Sequence, residues 1–466
     1  MFVSSPIELA GFHLAGGGAP PVSDAREVLA GRGGPGALRE ALAGLTDRRR
    51  ARGIRHALAS LISVLFMGVA CGYPSFTAIA EAVAGWDREV LAALGTRRDP
   101  VTGAFVPPSA STLGRAAGLV DADELEAALT GLLAGPALAA APRPAREGPA
   151  GAGKKAPRRR RPRAADALRE VRADGLVRDA PGHPWLDPAV TGDPGHLPAV
   201  RAVGVDGKER RLAKAGGKKK VHLLAAVAHR SGAVISQDRV AKAGKANEIS
   251  HFRPLLENLP LAGITITADA MQTQREHARW LTADKKAHYL FPALGNQPGL
   301  YQRLDQMDWE HTPVTAATTD LKRGRIETRA IRVLPAPPGL DWPAASQAIL
   351  IERYVTIRKK GQWVPRNCEA VLYITSLAPA LAGPADLLAL IRGHWRVEHL
   401  HWLRDTVWEE DKSTIRTGNA PQVMSALTNT AIGLFRLQGV TAIKTETRRN
   451  ARDPRHAIQL LAFQPG

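Results

Sequence analysis

The sequence predicts an α/β fold in which a small all-α domain precedes a larger mixed domain. Two observations favour this class. Apolar residues recur at helical spacing in the first part of the chain, and short β-branched runs alternate with helical patterns from Val200 to about Leu437. With 466 residues, of which 44% are hydrophobic, the chain is long enough for about two or three domains.

The charge balance indicates a polyanionic partner. Sixty-three Lys and Arg residues against 44 Asp and Glu residues give a net charge of +19, an excess that attracts nucleic acid. Cys71 and Cys368 are too few for a disulfide framework or a zinc cluster, so we expect a reducing cytoplasm. The longest apolar stretch, residues 58–70, is shorter than the roughly 20 residues of a membrane span. We therefore expect a buried helix there and no membrane contact.

Composition divides the chain into five segments. We expect a poorly ordered Gly- and Pro-rich arm at 1–36, a helical domain at 37–135, a basic linker at 136–197, an α/β domain at 198–437 and a C-terminal tail at 438–466.

The helical segment contains a recognisable helix start. In Ser109-Ala110-Ser111-Thr112-Leu113, the hydroxyl groups can accept the free amide protons of a first turn. The segment is a candidate helix-turn-helix that recognises DNA, with nearby Arg115 as a contact. A domain that only packs or dimerises is an equally open interpretation.

The linker carries a dense run of positive charge. Between Arg143 and Arg163 there are nine basic residues and one acid, Glu147, a local charge of +8. Like charges at this density repel one another and keep the chain extended. We interpret the run as a solvated tether that also neutralises DNA phosphates, chiefly through Arg158, Arg159, Arg160 and Arg161.

The α/β segment shows a characteristic order of elements. Three strand-like runs are followed by a helix, a strand, a helix and a strand, at residues 202–206, 221–228, 233–240, 249–258, 264–269, 273–281 and 288–291. This is the order of the ribonuclease-H-like fold, in which the first and fourth strands lie side by side.

Three acids stand out in this frame. Asp206 and Asp269 each close a short apolar run, so we expect both at strand ends, and Glu398 lies in a helical stretch. Carboxylate oxygens suit Mg²⁺ and Mn²⁺, and converging carboxylates can hold two such ions for phosphoryl transfer. We predict that Asp206, Asp269 and Glu398 are catalytic metal ligands. The acids at 409–411 compete with Glu398 for the third position.

Further strand-like runs separate Asp269 from Glu398. Residues 325–334, 347–357 and 370–375 are rich in β-branched and aromatic side chains. They predict a β-rich insertion at about 310–380. The insertion explains why 129 residues separate Asp269 from Glu398 whereas 63 separate Asp206 from Asp269.

Many short motifs around these acids resemble one known family. In chain order they are Asp206-Gly207-Lys208 with Arg211, His222-Leu223-Leu224, Lys245-Ala246-Asn247-Glu248-Ile249, Thr267-Ala268-Asp269-Ala270, Thr273-Gln274, Gly295-Asn296-Gln297, Gly324-Arg325-Ile326-Glu327-Thr328-Arg329, Arg392-Gly393-His394-Trp395, Glu398, Leu400-His401 and Glu410-Asp411. The chain resembles the DDE-type insertion-sequence transposases of the H-repeat-associated protein family, which carry a β-rich insertion in a ribonuclease-H-like catalytic domain.

The resemblance implies a bacterial, cytoplasmic and nucleoid-associated enzyme. Such an enzyme cleaves insertion-sequence ends with two Mg²⁺ or Mn²⁺ ions, joins the 3′-OH to target DNA, and works as a homo-oligomer on terminal inverted repeats. The expected DNA-binding residues outside the linker are Lys208, Arg210, Arg211, Asn296, Gln297, Arg325, Arg329, Arg392 and His394.

Departures from the family pattern keep two alternatives open. Leu294 and Thr428 stand where the family has cations, and Asp405 stands where related families have a lysine. The alternatives are a Mg²⁺-dependent nuclease of the same fold that cuts without joining, and a decayed, non-catalytic DNA-binding copy.

Overall fold

The computed structural model describes residues 37–50, 54–139, 192–193, 195–210, 221–240, 248–322 and 324–461. The predicted arm at 1–36 lies outside the described residues, as does most of the predicted linker with Arg158, Arg159, Arg160 and Arg161. Arg211 lies outside them too.

The N-terminal segment is helical, as the sequence predicts. Its helices are α1 (Ala37–Ala43), α2 (Leu58–Ala70), α3 (Phe76–Ala84), α4 (Arg88–Ala93), α5 (Ala110–Leu119) and α6 (Ala122–Ala139). Helix α2 is the apolar stretch noted in the sequence, and all of its residues except Ala59 are buried. In the part of the chain that the structure describes, no helix is long and apolar enough to cross a membrane.

The predicted helix start at Ser109 is confirmed. The Ser109 hydroxyl accepts a hydrogen bond from the Thr112 amide at 3.3 Å, and α5 begins at the next residue. The hydroxyl of Ser75 caps α3 in the same way, through the Ala78 amide at 3.2 Å. Both serines satisfy an amide that the first turn of a helix otherwise leaves unpaired.

The strands form one mixed sheet of nine strands. They are β1 (Ala202–Arg210), β2 (Val221–Ala228), β3 (Val234–Val240), β4 (Thr265–Ala268), β5 (His288–Ala293), β6 (Ala316–Lys322), β7 (Arg325–Pro335), β8 (Gln347–Lys359) and β9 (Gln362–Thr375). The order is β3-β2-β1-β4-β5-β9-β8-β7-β6. Strand β4 runs parallel to both β1 and β5, and the other neighbours are antiparallel. The predicted contact between the first and fourth strands is confirmed.

The β-rich region extends the main sheet instead of forming a separate sheet. Strand β9 pairs antiparallel with β5, and β8, β7 and β6 follow outwards. The sequence indicated only the last six residues of β9, because its first half is a polar, mostly exposed arm of the β8–β9 hairpin. At the hairpin tip, Lys360 and Gly361 have φ angles of 50° and 87°. The glycine adopts such an angle without strain.

Helices cover the sheet and close the chain. They are α7 (Glu248–Glu257), α8 (Arg275–Ala283), α9 (Pro298–Asp305), α10 (Pro384–Val407), α11 (Ala420–Leu437), α12 (Ile443–Arg452) and α13 (Arg455–Leu461), with short 3-10 turns at Ala270–Gln272 and Glu410–Lys412. The segment predicted as a C-terminal tail thus carries α12 and α13. The Asn450 side chain donates to the Ala70 carbonyl at 3.0 Å and fastens α12 to α2.

The N-terminal helices share a hydrophobic core with the α/β segment. Leucines of α2 and α6 belong to the same buried cluster as Val227 of β2, Leu403 of α10 and Leu427 of α11. The indole of Trp408 donates to the Val69 carbonyl at 2.9 Å across this contact. Residues near the end of α6 reach a second cluster under the central strands. The helical segment therefore buttresses α10 and α11 directly.

Close packing inside the helical segment yields a stability prediction. A Cβ atom at Gly68 of α2 would lie 2.5 Å from Cγ1 of Ile79 on α3. We expect Gly68→Ala to lower the free energy of unfolding by about 1–3 kcal/mol, because the added methyl group forces the helices apart. Denaturant unfolding measures the change.

Gly131→Ala in the exposed face of α6 is the matched control. No heavy atom lies within 4 Å of a Cβ built there, so this variant should gain about 0.5–1 kcal/mol from helix propensity. Equal effects of the two substitutions would contradict the packing.

Candidate active site

The parallel pairing of β1 and β4 places the two aspartates together. Val205 pairs with Ala268, so Asp206 and Asp269 each follow the last paired position of the two strands. The Asp269 carboxylate accepts from the Gln272 amide at 3.3 Å and caps the turn at Ala270–Gln272. The prediction of a strand end is confirmed for Asp269.

The prediction of a strand end is wrong for Asp206. Strand β1 runs through Asp206 to Arg210, because its polar second half continues the antiparallel ladder with β2 as far as the pair Arg210–Val221. At Asp206 the parallel pairing of β1 with β4 has ended, whereas the antiparallel pairing of β1 with β2 continues. Its carboxylate accepts from the Gly207 amide at 2.8 Å.

Helix α10 brings Glu398 to the same region. The helix packs on β1 through Val397, whose Cγ2 would lie 2.8 Å from a Cβ atom at Gly204. A glycine is therefore required at this close contact. Glu398 itself is exposed, and its negative charge acts on Asp206.

The electrostatics of the aspartates indicate a crowded acidic site. The pKa of Asp206 is raised to about 7. Burial is the main cause, and the charges of Asp269, Glu248 and Glu398 contribute. Burial also raises the pKa of Asp269, again with a contribution from Glu248. Close negative charges disfavour one another's ionisation, so a bound cation would stabilise all of them.

Glu248 is a member of this cluster that the sequence analysis did not select. It begins α7, and its Oε1 lies 2.6 Å from Nε2 of His222 on β2. A Cβ atom at Gly207 would lie 2.5 Å from Glu248 Oε2, so the glycine makes room for the carboxylate beside Asp206. The signal was present in the sequence, since Glu248 opens a helix inside one of the matched motifs.

His401 is a second neighbour of Asp206, which the sequence offered within the Leu400-His401 motif but which was not predicted as a site residue. Its Nδ1 lies 3.7 Å from Oδ2 of Asp206. The pKa of His401 is lowered to about 3. Burial is the main cause, and the positive charges of Arg404 and Lys208 contribute. Burial also lowers the pKa of His394 to about 4. Both imidazoles are neutral near pH 7, and the acids set the charge of the site.

The acids have the donor chemistry of a hard-cation site without forming a closed one. Carboxylate oxygens are the ligands that Mg²⁺ and Mn²⁺ prefer. Among the described residues, however, no group of three or more His, Cys, Asp or Glu side chains is arranged so that it could hold a metal ion. The predicted ligands share one region, in which the charges of Asp269 and Glu398 act on Asp206, but their side chains do not converge on a single point.

Lys208, expected to contact DNA phosphate, faces the protein interior. It is 8% exposed, and its ammonium donates to Oδ1 of Asp405 at 2.5 Å and to the His401 carbonyl at 3.3 Å. Asp405 stands where the related families have a lysine. In this chain, therefore, the lysine beside the C-terminal half of α10 is Lys208 of β1 and not a residue of the helix.

Glu410, the competing third ligand, forms a buried ion pair. Its two carboxylate oxygens accept from Nε and Nη2 of Arg404, each at 2.6 Å. Arg404 also donates to the Ser425 hydroxyl at 2.9 Å. Arg404 is 1% exposed and Glu410 is 7% exposed. A bidentate pair buried this deeply joins α10 to α11, so Glu410 holds the helices together.

Two further predicted residues lie beside Asp269. The Asn296 side chain donates to the carbonyl of Ala270, the residue after Asp269, at 2.5 Å. The Gln297 amide donates to Oε1 of Gln274 at 3.2 Å. The strand β5 and its following loop thus bring the predicted Gly295-Asn296-Gln297 motif to the acidic cluster.

In the described part of the chain, the other predicted DNA contacts do not touch Asp206, Asp269 or Glu398. Arg325, Arg329 and Arg392 surround Glu327 and Asp320 at the junction of β6, β7 and α10. His394 contacts the Thr267 hydroxyl at 3.1 Å. The Trp395 ring lies 4.1 Å from the guanidinium carbon of Arg329 and 4.9 Å from that of Arg353. Of Arg210, only the backbone, at the end of β1, is described.

The raised pKa of Asp206 predicts a pH-dependent loss of stability. The unfolded chain releases this proton near pH 3.8, whereas the folded chain holds it until about pH 7, so the contribution to folding falls as the pH rises between these values. In EDTA, we expect Asp206→Asn to be more stable than the wild type at about pH 8, by at most about 4 kcal/mol, in denaturant unfolding.

The stability difference should shrink as the pH falls and vanish towards about pH 3, below the unfolded-state pKa of 3.8, where both states of the wild type are protonated. Asp305→Asn, on the exposed face of α9, controls for the loss of a surface carboxylate. If the wild type were more stable than Asp206→Asn at about pH 8, the repulsion between the acids would be contradicted.

Two family models match the chain. Residues 198–434 match the family described as Transposase DDE domain, and residues 39–133 match the family described as DDE_Tnp_1-associated. The described part of the first match contains the nine-stranded sheet, α7 to α10 and most of α11, and it includes Asp206, Asp269 and Glu398.

Two of the three curated relatives described below carry the word transposase in their names. "Putative transposase YncI" of Escherichia coli O157:H7 is 30% identical over 50% of this chain and 61% of its own length. "Putative protein YbfL" and "H repeat-associated putative transposase YhhI" of Escherichia coli K12 are 28% and 27% identical, over 56% of this chain and 71% of their lengths.

A solved structure also aligns with most of the chain. It is a piggyBac transposase synaptic complex with hairpin DNA, with 10% identity over 94% of this chain and 81% of that chain and a TM-score of 0.38. A likeness of that strength supports no conclusion about the fold. The match over half of the sequence does decide the family: the chain belongs to the Transposase DDE domain family, with a DDE_Tnp_1-associated segment before it.

Proposed function

We propose that the chain is a DNA transposase that cleaves insertion-sequence ends and joins the resulting 3′-OH to target DNA. The observation that carries the proposal is the parallel β1–β4 register, which puts Asp206 and Asp269 side by side beneath the helix of Glu398. Membership of the family supports it. Terminal inverted repeats and target DNA are the proposed substrates.

The strand topology supports a ribonuclease-H-like assignment. The five strands β3-β2-β1-β4-β5 have the order and directions expected of that fold, and β6 to β9 extend it at one edge. In this arrangement, acids that follow the last parallel pair of β1 and β4 lie side by side, where a helix can add a third carboxylate.

Asp206, Asp269 and Glu398 are the proposed ligands of two Mg²⁺ or Mn²⁺ ions. When bound, such ions activate the attacking oxygen and stabilise the leaving oxygen of an in-line displacement. Neighbouring backbone amides and one ion pair keep the acids in place. The Gly207 amide orients Asp206, the Gln272 amide orients Asp269, and the Lys208–Asp405 pair holds β1 against α10.

The reaction has two steps at the same carboxylates. First, a water oxygen attacks the phosphorus at the element end, the bond to the 3′ oxygen breaks, and that oxygen leaves as a 3′-OH. Then the 3′-OH attacks a target phosphate, and one target oxygen leaves as the new 3′-OH. Each bond that forms replaces one that breaks, so no covalent protein intermediate and no external energy source is required.

DNA binding by a homo-oligomer completes the proposal. The net charge of +19 favours a polyanion, and the basic linker with Arg158, Arg159, Arg160 and Arg161 adds contacts to any DNA sequence. The helical segment exposes Arg115 on α5 and is a candidate for recognition of element ends or for assembly. Action on bacterial DNA would place the enzyme in the cytoplasm, at the nucleoid.

One observation favours a second candidate, a non-catalytic DNA-binding copy. No group of acids in the described ranges is arranged to hold a metal ion. Such a copy would bind element ends and cleave nothing with any divalent ion, whereas a nuclease of this fold would cleave and never join. Cleavage and joining assays on DNA with inverted repeats separate the three possibilities.

We expect Asp206→Asn, Asp269→Asn and Glu398→Gln each to lower Mg²⁺-dependent cleavage of element ends by a factor of about 10³ or more, by analogy with the loss of other charge-stabilising groups. DNA affinity in EDTA should stay close to that of the wild type, because phosphate contacts remain. Cleavage of end-labelled DNA and filter binding measure the two properties.

Glu409→Gln is the matched control, since Glu409 is an exposed acid near the end of α10. It should cleave at the wild-type rate. Normal cleavage by Glu398→Gln, or loss of cleavage by Glu409→Gln, would show that the third ligand is another residue.

A further inference from the structure

A cavity of about 350 Å³ lies at the start of β1, away from Asp206 and Asp269, and takes no part in the proposed chemistry. Its walls are the start of β1, the residue Arg230 after β2, the strands β6 and β7, and the N-terminal half of α10. The volume is within the range of about 300–1,000 Å³ typical of small-molecule sites.

The walls carry more positive than negative charge. Arg230, Arg325, Arg329 and Arg392 line the cavity, and the acids among its lining residues are Asp320 and Glu327, which leaves a formal excess of two positive charges. Arg392 pairs with Asp320 at 2.7 Å, and Arg325 pairs with Glu327 at 2.9 Å. Arg329 contacts both acids.

Arg230 is the cation without an acid. Its Nη2 donates to the carbonyls of Pro198 and Ala199 at 2.8 and 2.9 Å, and no carboxylate of the described chain pairs with it. Backbone carbonyls orient the guanidinium and leave its charge uncompensated. An anion in the cavity would neutralise it.

Three donors on these walls lack a partner. The Nε atoms of Arg230, Arg325 and Arg329 are buried and have no hydrogen-bond acceptor among the residues that the structure describes. A buried donor without an acceptor is destabilising. These atoms have almost no accessible surface, so a ligand in the cavity would not contact them directly. They show that the acids around the lining arginines leave part of the hydrogen-bonding capacity of these guanidinium groups unused.

The environment of Arg329 agrees with this interpretation. The residue is 3% exposed, and burial lowers its pKa to about 10 although Glu327 opposes the change. Desolvation of the guanidinium is therefore only partly offset by the acids around it. A further negative charge would restore the balance.

We propose that this cavity binds a phosphate group. Phosphate offers several strong acceptor oxygens to the guanidinium groups, which match its geometry better than ammonium groups do. The phosphate could belong to a DNA strand or to a free nucleotide, and the same walls would recognise either.

The DNA source rests on the proposed function and fits its geometry. Arg392 precedes Glu398 by six residues on α10, or about 9 Å at 1.5 Å per residue. The phosphates of one B-DNA strand are spaced by about 3.4 Å of helix axis. A phosphate in the cavity would therefore belong to a nucleotide near the one whose phosphate reacts.

The test uses the full chain in EDTA, so that its outcome does not depend on cleavage. Arg230→Gln removes the uncompensated cation, and Arg325→Gln, which is half-exposed, is a second variant should the first fail to fold. Arg303→Gln is the matched control, because Arg303 also donates to a carbonyl, that of Pro338, but lies outside the cavity. Circular dichroism confirms folding.

Two measurements are made on each variant. The first is the rise in the thermal midpoint on adding inorganic phosphate or a nucleoside monophosphate, at constant ionic strength against chloride. The second is the affinity for single-stranded and double-stranded oligonucleotides over a range of salt concentrations.

We expect Arg230→Gln to weaken binding of the phosphate-bearing ligand about tenfold, and Arg303→Gln to leave it unchanged. If the source is DNA, the affinity falls and the slope of log K against log salt decreases by about 0.7–0.9. If the source is a free nucleotide, the thermal shift disappears while DNA affinity is kept. Wild-type behaviour of both cavity variants in both measurements would overturn the proposal.

Discussion

The parallel pairing of β1 with β4 is the constraint on which the rest of the structure depends. It is the central contact of the nine-stranded sheet: β2 and β3 extend from β1 on one side, and β5 followed by β9 to β6 extends from β4 on the other. The same register brings Asp206 and Asp269 together. Because one residue of slippage would turn either side chain to the opposite face, the buried neighbours Val205 and Ala268 fix the site as well as the sheet.

A buried polar network then sets the position of α10. The Arg404–Glu410 pair is bonded to Ser425, and Asn429 bonds to Gln237 on β3, which in turn bonds to Glu126 on α6. Lys208 joins the network from β1, because its ammonium lies 3.7 Å from Oε2 of Glu410. Removing one partner of such a pair leaves an unpaired buried charge, at a cost of about 3–5 kcal/mol. The N-terminal helices, α11 and the strand of Asp206 are thus held in one arrangement with the helix of Glu398.

The sequence predicted the order of the central strands and the buried helix α2, because both depend on local apolar patterns. It also placed Asp269 correctly. It missed the continuation of β1 past Asp206, since the polar residues of the second half of the strand carry no apolar alternation. It treated Glu410 as a possible ligand and Lys208 as a phosphate contact. Which long side chains become buried partners depends on packing between segments about 200 residues apart, and no local pattern encodes that.

The central claim is that Asp206, Asp269 and Glu398 act on the same divalent ions, and direct binding of Mn²⁺ tests it without any DNA. Electron paramagnetic resonance of free Mn²⁺, titrated into the full chain, gives the number of ions bound and their affinity. We predict two ions per chain in the wild type and in Glu409→Gln, and weaker binding in each of Asp206→Asn, Asp269→Asn and Glu398→Gln. Binding by Glu398→Gln that equals the wild type would contradict the claim.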